Sequence, residues 1–240
     1  MLLYFIRHGD PTYQPNRLTP LGRRQAESVG RRLSIHGIDK IYSSDSQRAM
    51  ETAQPLAEIL KKEIVLLPWA NEDLAWQVLA PENPELGRKV WAFGDERFLP
   101  LFNSREVRAL GDKWYTHPAF AQYPSFETGI ERIRREADSL LLELGYRHDR
   151  ENCCYEAVRP NEDRVALFAH QGFGLAFLSQ VLDIPYPQFS TLFDMGHTGM
   201  TVLEFANKPG PVFPRADQVA SDGHLYRDGL PTKYQNRVFL

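Results

Sequence analysis

The chain opens on an uninterrupted apolar run, Met1-Leu2-Leu3-Tyr4-Phe5-Ile6, that stops abruptly at Arg7-His8-Gly9. A short run of this kind, bounded by a turn residue, reads as a strand buried on both faces. Such strands belong to largely parallel sheets with helices packed on each side, which confines the chain to an α/β architecture. Gly9 lets the backbone turn sharply and lets a ligand approach it closely. His8 then leaves the carboxyl end of a central strand, where open α/β sheets bind their ligands. Arg7 beside it offers a fork of donors suited to phosphate or carboxylate. The pair points to phosphoryl-transfer chemistry.

The same construction recurs late in the chain. Val165-Ala166-Leu167-Phe168-Ala169 ends in His170-Gln171-Gly172. A helix then follows with Leu175, Phe177, Leu178, Val181 and Leu182 as apolar positions. Two histidines at equivalent ends of two buried strands define the expected site.

Between them, Pro11 to Leu18 is a polar stretch with Pro11, Pro15 and Asn16 as turn formers. Thr19-Pro20 has the chemistry of an N-cap and first helical residue, and Leu21, Ala26, Val29 and Leu33 supply a core-facing stripe that ends by Gly37. Asp39 to Tyr42 reads as a second strand, and Ser43-Ser44-Asp45-Ser46 as the start of another helix. Arg48 falls in that helix's first turn. A cation there is slightly disfavoured by the helix dipole, a cost that makes sense if it binds an anion. Ile64 to Leu67 reads as a third strand, and either Glu72 or Asp73 just beyond it is a candidate general acid.

From Leu74 to about Arg164 the character changes. Pro81, Pro84, Pro100, Pro118 and Pro124 interrupt an aromatic-rich segment, which we read as a lid-like insertion over the sheet's carboxyl edge. Its aromatics are expected to be core more often than ligand contacts. One strong helix within it has Ser125 as its expected N-cap and ends before Gly145. Gly196 to Phe205 reads as a last strand; its His197 either lines the site or serves the turn before the strand, and the turn is favoured. The tail after Ala206 shows little periodicity.

Composition agrees with a folded globular chain: 240 residues, 42% hydrophobic and 25% charged. A net charge of -3 gives no support to a nucleic-acid or anionic-membrane partner. No apolar stretch is long enough to span a bilayer, and nothing reads as a signal peptide, so a cytoplasmic location is expected. Cys153 and Cys154, adjacent, suit neither a disulfide framework nor a zinc site and are expected to be reduced thiols. No oligomeric state can be read from these residues.

Ile6-Arg7-His8-Gly9, Ser43-Ser44 followed by Gln47-Arg48-Ala49 and Thr52-Ala53, Asn71-Glu72, and Ala169-His170-Gln171-Gly172 together resemble the histidine phosphatase superfamily (phosphoglycerate mutase-like). The resemblance covers roughly residues 1–72 and 164–205. It implies a single domain of three α/β/α layers, with a mostly parallel sheet and residues 74–164 inserted over the active-site edge. It also implies a metal-independent phosphomonoesterase without cofactor, acting on a small phosphorylated metabolite. On this resemblance His8 is the phospho-accepting nucleophile and Glu72 the proton donor. Arg7, Arg48 and His170 then form the phosphate pocket, with Gln171 and Asn16 as further phosphate contacts. Two features depart from the family pattern: Asp10 stands where many members carry Glu, and the Gly9–Thr19 segment lacks the longer stretch of the mutases. The shortened segment favours hydrolysis over a phosphoglycerate mutase-type isomerisation. A silent anion-binding protein is the remaining alternative.

Overall fold

The computed structural model describes residues 1–232. The chain opens with β1 (Leu2–Arg7), a hairpin of β2 (Pro11–Tyr13) and β3 (Asn16–Leu18), α1 (Pro20–Ser34), β4 (Lys40–Ser43), α2 (Gln47–Leu60), β5 (Ile64–Leu66) and α3 (Glu72–Leu79). A second hairpin, β6 (Glu82–Asn83) and β7 (Arg88–Lys89), leads to α4 (Leu99–Phe102), α5 (Arg105–Ala109) and α6 (Ser125–Glu143). Then come β8 (Tyr146–Asp149), β9 (Cys154–Ala157), β10 (Arg164–Ala169), α7 (Gln171–Val181) and α8 (Tyr186–Leu192). The described chain closes with β11 (Met200–Glu204), β12 (Pro211–Val212), β13 (Arg215–Ser221) and α9 (Gly223–Arg227).

The main sheet runs β13-β11-β1-β10-β4-β5. β1, β10, β4 and β5 are mutually parallel, and β11 pairs antiparallel with β1. Alternate side chains of the central strands feed two separate cores, as the two-residue period of a strand requires. Leu3, Phe5, Val165, Leu167 and Ala169 enter the larger core with α6 and α7 residues. Ile6, Ala166 and Phe168 enter the smaller one with Val29 and Leu33 of α1 and Leu56 of α2. The sheet is therefore covered on both faces, which explains why β1 and β10 carry no charged residue between their first and last positions.

Thr19 caps α1 as its sequence suggests, accepting from the Gly22 amide at 3.0 Å. Ser125 differs from expectation: it is the first residue of α6, behind Pro124, and its hydroxyl donates to the Val78 carbonyl at 3.0 Å. The 74–164 stretch divides in two. Ile130, Ile133, Ala137 and Leu141 of α6 join the large core with Phe173 and Phe177 of α7, so α6 is a regular covering helix of the sheet. β8 and β9 form a small sheet with β12. Most of the stretch's aromatics are buried, Phe102, Trp114, Phe120 and Phe126 fully so. The tail, opaque in sequence, supplies edge strand β13 and α9, which packs on α1. Cys153 is exposed and Cys154 buried, and both are free thiols. Among the described residues no helix is long and apolar enough to cross a membrane.

Candidate active site

The register of β1 on β10 sets Arg7 opposite Ala169. The next residues, His8 and His170, therefore leave the sheet side by side, with ring centroids 5.2 Å apart. Both are buried. The Nδ1 of His8 lies 2.8 Å from the Gly9 carbonyl. A carbonyl only accepts, so Nδ1 carries the hydrogen and Nε2 keeps its lone pair. Arg48 Nε donates to that Nε2 at 3.1 Å.

Arg48 is held there by the start of α2. Its Nη1 donates to the Asn16 amide oxygen at 2.9 Å, which brings the β2–β3 hairpin to the site. Thr52 ties the same turn to β1: its hydroxyl donates to the Arg48 carbonyl at 2.7 Å and accepts from the Gly9 amide at 3.0 Å. Gly9 itself departs from expectation. A Cβ at this position would lie 2.6 Å from the Gly22 carbonyl oxygen, so the backbone that approaches Gly9 is that of α1.

Arg7 Nη1 donates to the Met195 carbonyl at 2.6 Å, while its buried Nε has no partner within the protein. His170 Nε2 meets the Ser44 hydroxyl at 2.9 Å, and its buried Nδ1 has no partner. Gln171 bonds the Asp194 carboxylate through its side-chain amide.

Glu72 and Asp73, equivalent in sequence, separate in space. Asn71 caps α3 and accepts from the Asp73 amide. Glu72 turns inward, and its carboxylate accepts from the amides of Gly172 at 3.0 Å and Phe173 at 2.8 Å, the first turn of α7. Asp73 is exposed. Both line a cavity of about 510 Å³ together with Arg7, His8, Arg48 and Gln171. Its outer wall is made by Tyr13, Trp76, Arg88 and Trp91. Tyr13 and Arg88 carry no sequence signal as site residues, and Trp76 and Trp91 belong to the aromatics expected to be core more often than ligand contacts; only the folded hairpins and α3 bring the four to this edge.

Burial is the main cause that lowers the His8 pKa well below its usual value, with His170, Arg7 and Arg48 adding to it. Burial, then Arg48 and Arg7, lowers that of His170 in the same way. Both rings are therefore neutral at physiological pH. Burial raises the Glu72 pKa, against the Phe173 and Gly172 amides and the two arginines, which favour the charged form. The set thus combines a neutral imidazole with an available lone pair, two guanidiniums, and a carboxyl biased toward keeping its proton.

His197 lies in the turn before β11 and also reaches the site. Its ring lies 5.7 Å from that of His8, and its Nδ1 is 3.5 Å from an Asp10 carboxylate oxygen. The antiparallel return into β11 brings it there, a placement that no local sequence signal carries. Among the described residues no group of three or more His, Cys, Asp or Glu side chains is arranged to hold a metal ion.

A family model described as histidine phosphatase superfamily (branch 1) matches residues 3–77. A probable phosphoglycerate mutase of Proteus mirabilis is 32% identical over 79 residues; the match spans 29% of this chain and only 37% of that relative. Among solved structures, a mycobacterial glucosyl-3-phosphoglycerate phosphatase superposes with a TM-score of 0.56 at 20% identity, covering 92% of this chain and 98% of the other. A phosphoserine phosphatase of Entamoeba histolytica gives 0.57 at 21% identity, covering 93% and 98%. The alpha-ribazole phosphatase of Shigella flexneri gives 0.57 at 17%, covering 92% and 97%. At these identities the structural likeness speaks for the fold.

Proposed function

We propose that this chain, whose residues 3–77 match the histidine phosphatase superfamily model, belongs to that superfamily and hydrolyses small phosphomonoesters through a phosphohistidine formed on His8. The observation that carries this reading is the state of the His8 ring. Its Nδ1 hydrogen is committed to the Gly9 carbonyl, and its Nε2 lone pair faces the Arg48 guanidinium at 3.1 Å. That is the tautomer a nitrogen nucleophile requires, set beside the charge that would hold the phosphoryl oxygens.

In the proposed sequence, substrate phosphate displaces the Arg48–His8 hydrogen bond and lies among Arg7, Arg48 and His170. Phosphoryl transfer depends mainly on alignment and on charge stabilisation at the equatorial oxygens. Arg7 Nε and His170 Nδ1 are buried without a partner in the protein, which leaves both free to meet phosphoryl oxygens in this reading. His8 Nε2 bonds to phosphorus as the ester P–O bond breaks, and protonated Glu72 gives its hydrogen to the departing alkoxide. Water then attacks phospho-His8, the Glu72 carboxylate takes its proton, and inorganic phosphate leaves with the ring restored. Asn16 steadies Arg48, and Gln171 lines the cavity beside His170. Residues 74–164 belong in this reading to one domain with the rest, and their first part borders the cavity. The location we propose is the cytoplasm.

The test is turnover of a phosphomonoester panel by the wild type and by His8→Ala. The wild type should release phosphate and form an acid-labile phosphoenzyme, and His8→Ala should do neither. Conversion of 3-phosphoglycerate into 2-phosphoglycerate faster than phosphate release would replace hydrolysis by isomerisation. No release from any substrate would leave an anion-binding protein.

A further inference from the structure

The phosphate-binding end of the cavity takes up only part of its roughly 510 Å³, a size in the range of about 300–1,000 Å³ typical of sites that enclose a whole small molecule. The rest lies against Tyr13, Trp76 and Trp91. These rings differ from their neighbours in the same segment. Trp114, Phe102 and Phe120 are fully buried, whereas Trp76 and Trp91 are only partly buried and Tyr13 is 68% exposed.

The wall is built rather than incidental. The Trp91 indole lies so close over Gly172 that a Cβ there would come within 2.4 Å of it, which fixes the ring beside the start of α7. Trp76 meets Trp91 edge-on with centroids 4.9 Å apart, and Phe93 stacks on Trp91 at 5.4 Å. Across the cavity, the Arg48 guanidinium stands 5.6 Å from the Tyr13 ring centroid, so one aromatic face borders the phosphate-binding cation itself. The two charged side chains of the outer cavity, Arg88 and Asp73, offset each other and give no net pull on a second anion. What remains to recognise the body of a substrate is flat π surface.

We infer that this cavity selects phosphomonoesters whose alcohol carries a flat aromatic or heteroaromatic ring, stacked against Trp76, Trp91 and Tyr13. The inference rests on the phosphatase reading of the inner site. Stacking on such faces is tolerant of ring identity, because every aromatic ring presents a π face. Its contribution is to binding and should appear chiefly in KM.

The experiment compares esters matched in leaving group and differing only in the ring: 2-phenylethyl phosphate against ethyl phosphate, and adenosine 5′-monophosphate against ribose 5-phosphate. The ring-bearing member should show kcat/KM at least about tenfold higher in one pair or both. Trp76→Leu and Tyr13→Ser should each bring that ratio toward one, and Tyr13→Ser, on an exposed hairpin, serves if Trp76→Leu misfolds. Equal turnover within both pairs overturns the inference and leaves the phosphatase reading standing. A ring preference unmoved by the substitutions also overturns it. Absence of turnover on all four esters removes both.

Discussion

The Glu72 carboxylate accepts the Phe173 amide hydrogen at 2.8 Å, so the first residue of α3 covers the first turn of α7. The amides of a helix start favour an ionised carboxylate, while burial favours the neutral acid, and burial prevails. The proton therefore stays on Glu72 above the usual carboxylate range. With the His8 pKa depressed, the ring is neutral well into the acid range. For an alkyl phosphate, kcat/KM should peak on the acid side of neutrality and fall as pH rises through the Glu72 pKa. Glu72→Gln should lower turnover by about 10²–10⁴-fold, least for p-nitrophenyl phosphate, and remove that descending limb. Because the folded-state pKa is raised, the stability Glu72 contributes is present below its unfolded pKa and lost as pH rises. Thermal melts of the wild type should therefore lose stability as pH rises through the folded Glu72 pKa, a dependence that the non-titrating Glu72→Gln should lack.

Arg48 makes two directed contacts, to His8 Nε2 and to Asn16, through different nitrogens of one planar group. A lysine offers a point charge and cannot hold both. Arg48→Lys should lower kcat/KM by roughly 10²–10³-fold with an unchanged circular dichroism spectrum. Retention of more than a tenth of wild-type activity would show that charge alone suffices.

Gly9→Ala places a methyl group 2.6 Å from the Gly22 carbonyl, where backbone faces backbone and neither side yields cheaply. We expect a loss of about 1–3 kcal/mol in stability. The displaced His8 should also cost about 10²-fold in kcat/KM. Gly94→Ala, with nothing within 4 Å of the added carbon, is the control and should stay within about 0.5 kcal/mol.

Away from the site, the His148 ring bridges Asp138 at 3.0 Å and Asp183 at 2.7 Å, joining β8 to α6 and to the end of α7. Burial alone would lower its pKa, but the two carboxylates overcome that and raise it. The stability it contributes is fully present below the unfolded histidine pKa and is lost as pH rises through the higher folded value. His148→Gln should cost about 1.5–3 kcal/mol in mildly acid solution and progressively less at alkaline pH, as read by denaturant unfolding across that range.

Sequence alone determined the framework of this protein and its inner site. The apolar runs before His8 and His170 reveal buried strands because a strand covered on both faces tolerates no charged residue in its interior, and Thr19-Pro20 reveals a helix start because capping is local chemistry. The residues quoted around Arg7, Arg48, Glu72 and His170 could be collected by type and order. Tertiary structure alone decided the rest. Glu72 rather than Asp73 turns inward because α3 meets the start of α7; His197 reaches His8 because β11 returns beside β1; and Trp76 and Trp91 leave the pattern of the buried aromatics because their hairpin and helix end at the cavity. Each of these depends on contacts between residues far apart in the chain, and neither periodicity nor spacing carries that information.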